Sequence, residues 1–290
     1  MSKVTIGLDI AKSVFHLVFM NQSGRVLRKK KLRRHQMLSY FSQLEPCIVV
    51  MEACGSCHYW CRELTKAGHE VKAIAPQYVV AYRKGNKHDY NDAEAIAEAS
   101  QREGMRFVPF KSQDQQDIQL MHRIRERMIA QQTALSNQIR GLLSEYGIVY
   151  VRGVATLVKE LPLTLEEADN GLSMLARRQF QGLLNDLREL REHIKEMDKE
   201  LKAFSQSQPV CERLMSMTGI GPLIATALYA GIGQGQAFNS GRHLAAWLGV
   251  VPKQHTTGDN PRLLGISKRG NTYLRTQIIN GARAALRHIG

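Results

Sequence analysis

Over residues 4–75 the apolar positions come in short runs separated by turn residues, a pattern that predicts strands. Residues 4–10 (VTIGLDI) read as a buried strand with Asp9 near its end, and residues 14–20 (VFHLVFM) as a second strand. Residues 26–32, which mix apolar with basic side chains, read as an exposed hairpin partner across the turn NQSG. A helix is expected over 36–43. Residues 47–52 (CIVVME) form another short apolar run that ends on a carboxylate, Glu52. A helix over 58–67 closes on Gly68, and a strand over 71–75 is stopped by Pro76. Residues 89–100 read as a helix with Asp89 and Asp92 in its first turn. The order β-β-β-α-β-α-β implies a mixed sheet covered by helices, an α/β arrangement.

Farther along, the period changes. A polar-rich helix is expected over 113–146, with apolar residues at Ile118, Met121, Ile124, Met128, Leu135, Ile139 and Leu142. A second long helix is expected over 173–204. There Phe180, Leu183, Leu187, Leu190, Ile194, Met197, Leu201 and Phe204 step alternately by three and four, a heptad seam. The pair reads either as a helical hairpin closed on itself or as a projecting coiled-coil arm that dimerises or grips nucleic acid. After the stretch SQSQP, glycine becomes frequent and acids scarce. Residues 231–290 hold eight Lys or Arg against the single acid Asp259, which marks a basic module. The divisions expected are therefore 1–110, 111–208 and 209–290.

Composition adds a partner class. Forty Lys+Arg against 26 Asp+Glu leave a net charge of +14, which favours a polyanion, in a cell usually nucleic acid. No apolar run reaches the roughly 18 residues of a spanning helix, and the opening residues MSKV have no secretory pattern. A cytoplasmic protein without a membrane partner is expected. Five cysteines, Cys47, Cys54, Cys57, Cys61 and Cys211, are an odd set that argues against a disulfide framework. Cys54 and Cys57 with His58 and Cys61 have zinc-ligand types. Structural zinc sites usually draw on two separated loops, so plain thiols at the start of a helix are the expected reading.

Four carboxylates carry the candidate chemistry. Asp9 and Glu52 each close an apolar strand, and functional groups in sheets with parallel strands gather at such strand ends. Adjacent parallel strands would set the two side by side. Asp89 and Asp92, three apart, share one face of a helix. Taken alone, that second pair reads first as residues that cap the helix and favour its dipole. Converging carboxylates repel unless cations neutralise them, and Mg²⁺ is the usual hard cation where phosphates are handled. Two such ions roughly 4 Å apart suit phosphoryl transfer.

These residues stand in motifs with a known likeness. Asp9 in GLDIAK, Glu52 in VMEACGS, and Asp89 with Asp92 in NKHDYNDAEAIAEA resemble the DEDD transposases of the IS110 insertion-sequence family, relatives of the Piv invertases. The stretches MTGIGPLIATAL, FNSGRHLAAWLGVVPKQ and GISKRGNTYLR resemble that family's second domain, Transposase 20. The resemblance runs over essentially the whole chain in the right order. It implies an RNase H-like (RuvC-like) catalytic domain, a coiled-coil insertion, and a mainly α C-terminal domain. It implies Asp9, Glu52, Asp89 and Asp92 as metal ligands, with DNA as substrate. It also implies action as a dimer or tetramer, and guidance by a structured noncoding RNA.

Within the basic module, Gly219 and Gly221 in TGIGP read as a helix-hairpin-helix-like turn. Glycines there let backbone N–H groups approach a phosphate. Its alternative is a plain tight turn. Lys268 and Arg269 open a helix in a polar loop suited to phosphate, and Lys253 and Arg262 are further candidate contacts. Family members use a C-terminal serine as nucleophile in a Gly-containing loop after the motif that reads GVVP here. The corresponding loop is KQHTTGDN, with Thr257 in the serine's place. Threonine has the same hydroxyl with an extra methyl and a stiffer χ1, so it either attacks as serine would or impairs strand transfer. Thr256 and Ser267 are the alternative hydroxyls. The chain ends at RHIG inside an expected helix, short of where relatives end, so a truncated copy is expected. Three other functions fit parts of the pattern: a nuclease that uses water, a non-catalytic nucleic-acid binder, and a sugar-kinase-like ATPase. The last is disfavoured because the basic module has no role in it.

Overall fold

A computed structural model describes residues 4–85, 88–258 and 260–287; Asn86, Lys87, Asp259 and the terminal residues 288–290, which fall in the motifs above, lie outside it. The chain divides after Ser112 into two compact units.

The first unit opens with β1 (Thr5–Asp9), β2 (Val14–Met20) and β3 (Val26–Arg33), followed by α1 (Met37–Ser42), β4 (Ile48–Glu52) and α2 (Cys57–Lys66). It continues through β5 (Glu70–Ile74), the short α3 (Pro76–Val79), α4 (Asp89–Ser100) and β6 (Phe107–Val108). The sheet order is β3-β2-β1-β4-β5-β6. β1, β4 and β5 run parallel, while β2, β3 and β6 are antiparallel to their neighbours. The expected strands are all present, and α3 and the two-residue β6 are additions. Neither has room in the sequence for a recognisable period.

Two cores sandwich this sheet. On one face Phe15, Leu17, Met51, Met37, Phe41, Trp60 and Leu64 pack beneath α1 and α2. On the other, Val50 and Ile74 meet Val79, Ala95, Ile96 and Ala99, largely from α4. Cys57 and Cys61 are buried on α2, with their sulfurs 3.7 Å apart, so these two thiols belong to the first core.

The second unit contains α5 (Gln113–Ser144), α6 (Val154–Glu166), α7 (Met174–Ser207), α8 (Pro209–Met215), α9 (Pro222–Ile232) and α10 (Gly241–Leu248). A hairpin of β7 (Pro252–Thr257) and β8 (Asn260–Ile266) then leads to α11 (Thr272–Leu286). The two long helices pack on each other within the chain, with α6 closing one end. There Ile139, Leu143, Leu157, Leu161, Phe180, Leu184 and Leu187 form a core. The predicted Ile118, Ile139, Phe180, Leu187 and Leu201 are buried, while Leu143 and Leu184 are buried in place of their neighbours Leu142 and Leu183. The heptad positions Leu190, Ile194 and Met197 are only half-buried.

Near the other end His122 of α5 is buried, its Nδ1 2.8 Å from the Tyr273 hydroxyl and its Nε2 3.0 Å from Thr226 Oγ1. Burial chiefly, then Arg125, pushes its pKa down from 6.5 to about 4. A group depressed in this way binds protons more readily unfolded than folded, so its contribution is intact above pH 6.5 and lost as pH falls toward 4. NMR titration of the imidazole should therefore show no protonation above about pH 5. The second unit should lose on the order of 2–3 kcal/mol between pH 6.5 and 4, most of which His122→Gln should remove.

Candidate active site

The sheet register assembles the site from residues distant in sequence. β1 and β4 run parallel with Leu8 opposite Met51, so Asp9 and Glu52 leave the sheet side by side. β2 returns antiparallel and sets His16 opposite Asp9, and β3 sets Lys31 opposite His16. Paired residues share a face. The row Glu52, Asp9, His16, Lys31 therefore crosses four strands on the side that α4 covers.

α4 supplies the other two carboxylates. Its cap is His88, whose Nδ1 accepts from the Tyr90 N–H at 3.2 Å, and Asp89 and Asp92 occupy its first turn. The helix can lie this close because small residues line the contact. A Cβ added at Gly7 would stand 2.0 Å from the Ala93 carbonyl oxygen and 2.8 Å from Ala97 Cβ. The glycine in GLDIAK thus acts as a spacer that lets the helix start reach the strand ends. Gly7→Ala should cost about 1–3 kcal/mol, the range for overpacking, and should weaken divalent-ion binding as α4 lifts. Thermal melts with and without Mn²⁺ read both effects. A variant with wild-type stability and wild-type ion response would show that this packing does not set the site.

The four carboxylates share one electrostatic environment. The Asp9 carboxyl is pushed up from 3.8 to about 6, chiefly by burial and then by the charges of Asp92, Asp89 and Glu52, with Arg83 opposing. Glu52 is also raised, by burial first and then by Asp92, again against Arg83. Asp92 is buried and holds Arg83, whose Nε lies 2.5 Å from Asp92 Oδ1. Asp89 is more open, with 62% of its side chain exposed, and its Oδ2 lies 3.3 Å from His16 Nδ1.

Asp9, His16 and Asp89 each present one ligating atom within 4.8 Å of the others. The imidazole pKa of His16 is lowered, mainly by burial and further by Lys31 and His88, while Asp89 opposes. The neutral ring is favoured, which keeps a nitrogen lone pair available. The sequence offers the four acids as candidates, of which Asp9 and Asp89 fall in this group, and it does not single out His16 or Arg83. The signal for His16 is a lone polar residue inside the apolar run VFHLVFM, at the distance a tight hairpin needs to pair with Asp9. Arg83 gives no periodic signal.

The C-terminal candidates lie in the second unit. Thr257 is exposed at the end of β7, paired with Asn260, so the stretch expected as a loop is largely a β-hairpin turning at Gly258, where φ is +61°. Threonines in KQHTT favour an extended backbone, and the glycine supplies the turn. Thr256 Oγ1 accepts from Gln254 Nε2 at 3.0 Å. Lys253 and Arg262 are exposed on the same hairpin, and Lys268 and Arg269 precede α11, which Asn271 caps.

Gly219, with φ +90°, is packed against α11: an added Cβ would lie 2.6 Å from the Gly281 carbonyl oxygen. Its glycine identity thus has a packing cause inside the protein. Gly221 at the start of α9 faces open space. α11 ends at Leu286 with Arg287 as its cap, and the rest of the RHIG stretch lies outside the described residues.

Known sequences align with both halves of this arrangement. Residues 6–148 match the DEDD family of IS110 type, described as "Transposase". Residues 211–289 match Transposase 20, described as "Transposase IS116/IS110/IS902 family". A "Probable family 20 transposase" of Pseudomonas aeruginosa is 45% identical over 283 residues, covering 97% of this chain and 84% of that protein. The "Transposase for insertion sequence element IS1111A" of Coxiella burnetii is 44% identical over 284 residues, covering 98% and 78%. A "Pilin gene-inverting protein" of Moraxella bovis is 25% identical over 281 residues, covering 89% and 75%.

Proposed function

This chain belongs to the IS110 family of DEDD transposases, and from that premise we propose that it cuts and rejoins DNA by phosphoryl transfer at the four-carboxylate site. The observation that carries the proposal is geometric: the parallel register of β1 with β4 ends on Asp9 and Glu52, Asp9 and Asp89 present ligating atoms within 4.8 Å of each other, and Asp92 shares the first turn of α4 with Asp89.

The donor set fits hard divalent cations. All four candidate ligands offer carboxylate oxygen, and their mutual repulsion is what such ions relieve. Asp9, Glu52, Asp89 and Asp92 would hold Mg²⁺, in our reading two ions. When bound, such ions polarise the scissile phosphate and stabilise the charge that develops on the entering and leaving oxygens.

The protein's own groups do the rest. Asp9 and Glu52 are fixed by the rigid ends of β1 and β4. Arg83 pairs with Asp92 through Oδ1, which would hold that carboxylate in place. His16 steadies Asp89. In the basic module Lys253, Arg262, Lys268 and Arg269, with the backbone around Gly219 and Gly221, would contact phosphates. Thr257 Oγ1 would attack the scissile phosphorus and form the new P–O bond as the bond to the leaving deoxyribose oxygen breaks; the proton lost by the threonine hydroxyl balances the one that the leaving oxygen takes up to depart as a hydroxyl. The reading assigns residues 1–110 to a RuvC-like catalytic domain, 111–208 to a helical arm that joins copies of the chain, and 209–290 to DNA binding. A structured noncoding RNA would select the target.

Strand exchange on a supercoiled plasmid carrying the element's ends, with flanking RNA supplied, tests the proposal. Mg²⁺-dependent joining that fails in Glu52→Gln is expected. DNA binding without cleavage in Mg²⁺ or Mn²⁺, unchanged by loss of Asp9 and Glu52, would instead mark a non-catalytic binder.

A further inference from the structure

From Asp9 to Glu45 the sequence contains no acid, yet it holds Lys12, Arg25, Arg28, Lys29, Lys30, Lys31, Arg33 and Arg34. Most of these lie on or beside β3, the edge strand of the six-stranded sheet. Alternation splits them between two faces, and the faces differ in what occupies them.

On the side of α1 the cations are tied to the protein's own aromatic rings. The Arg28 guanidinium lies 4.0 Å from the centre of the Phe19 ring, and Lys30 Nζ 4.1 Å from that of Tyr40. Leu32 continues this face into the core. On the side of α4 stand Lys29, Lys31 and Arg33. Lys29 is paired with Glu94 of α4 at 3.0 Å. Lys31 and Arg33 are exposed, and among the described residues neither has a carboxylate within ion-pair distance. Lys31 stands in register with His16, which stands in register with Asp9. Adjacent strands are about 4.8 Å apart, so the Lys31 backbone lies roughly 10 Å from that of Asp9. A scissile phosphate at the carboxylates would therefore leave its near neighbours on the same strand within reach of the Lys31 side chain.

We propose that the α4-facing side of β3 is a track for the DNA strand being cut, with Lys31 and Arg33 gripping backbone phosphates that flank the carboxylate row. This rests on the reading that those carboxylates act on DNA. Acids that must receive a polyanion need a neighbouring positive surface to offset their repulsion of it, and on this face Lys31 and Arg33 supply one. Lysines also shield edge strands from pairing with other chains. That role does not depend on which face carries the charge, which makes it separable.

The experiment compares two double variants of the full chain with equal charge removed from one strand: Lys31→Gln with Arg33→Gln, and Arg28→Gln with Lys30→Gln. Affinity for a labelled DNA duplex and for a labelled RNA hairpin is measured from low to high salt, with a thermal melt of each protein. Removing one phosphate-gripping cation should flatten the plot of log K against log salt by about 0.9 for duplex DNA. The first variant should therefore drop by about two in slope and about tenfold in affinity per cation near 0.1 M salt, while the second keeps the wild-type slope. The conservative pair Lys31→Arg with Arg33→Lys should restore the slope, which a folding defect would not allow. Equal losses in both variants, or an unchanged slope in the first beside wild-type protein that binds DNA, would overturn the proposal. Loss confined to the RNA hairpin would overturn it in favour of an RNA track. Wild-type protein that binds no DNA would defeat the transposase reading itself, an outcome distinct from these.

Discussion

Replacing Asp9 with asparagine is expected to abolish strand cleavage and, in the same molecule, to raise the thermal stability of the ion-free protein. Cleavage should fall at least 10³-fold, because losing one ligand removes several kcal/mol of charge stabilisation from the transition state. The gain in stability has the opposite origin. The Asp9 carboxyl is raised to about 6 from an ordinary 3.8, so the folded state resists its ionisation. A raised carboxyl favours folding below pH 3.8 and loses that contribution as pH climbs through 6. At pH 7.5 the wild type bears the whole penalty, and asparagine does not. Undiscounted, the shift corresponds to about 3 kcal/mol. Solvent screening at a partly exposed group brings the expected gain to about 1 kcal/mol, or about 4 °C for a unit of this size. Melts at pH 4 and pH 7.5 check the sign: the variant's advantage should vanish at the lower pH. A variant that is inactive but destabilised at pH 7.5 would contradict the charge argument.

Thr257 carries the second large effect. Thr257→Ala should remove any covalent protein–DNA adduct and reduce strand exchange at least 10³-fold, as loss of a nucleophile does. Thr257→Ser should speed exchange about tenfold or more, because the β-methyl and stiff χ1 that crowd in-line attack are gone. The residue's exposure at the hairpin end leaves its hydroxyl accessible. Trapping adducts on a nicked or supercoiled substrate followed by gel analysis checks both variants. Adduct that survives in Thr257→Ala would move the nucleophile to Thr256, Ser267 or water.

What could be read from the sequence was set by how local the cause of each feature is. The strands β1, β2 and β4 were legible because both faces of the sheet are covered there, which forces continuous apolar runs such as CIVVME. The four acids were legible because each stands where such a run or a helix begins or ends. His16 was not, because its role depends on the pairing of β2 with β1, and pairing is a relation between segments. Arg83 lies in an irregular stretch, and its place beside Asp92 is again a relation between segments.

The hairpin after α10 escaped for another reason. It is exposed on both faces, so it lacks the alternation that burial imposes, and only its threonines and Gly258 hinted at it. The helix over 154–166 contains Pro162, a residue that ordinarily ends a helix, and packing of Leu157 and Leu161 against α7 outweighs it.

Crystals soaked in Mn²⁺ and measured at its absorption edge would test the central idea most directly, since the anomalous signal locates the ion without assumptions about coordination. The expected map has density caged by oxygens of Asp9, Glu52, Asp89 and Asp92 in the wild type and none there in Asp9→Asn. Manganese bound elsewhere, with these four side chains engaged only with protein groups, would contradict it.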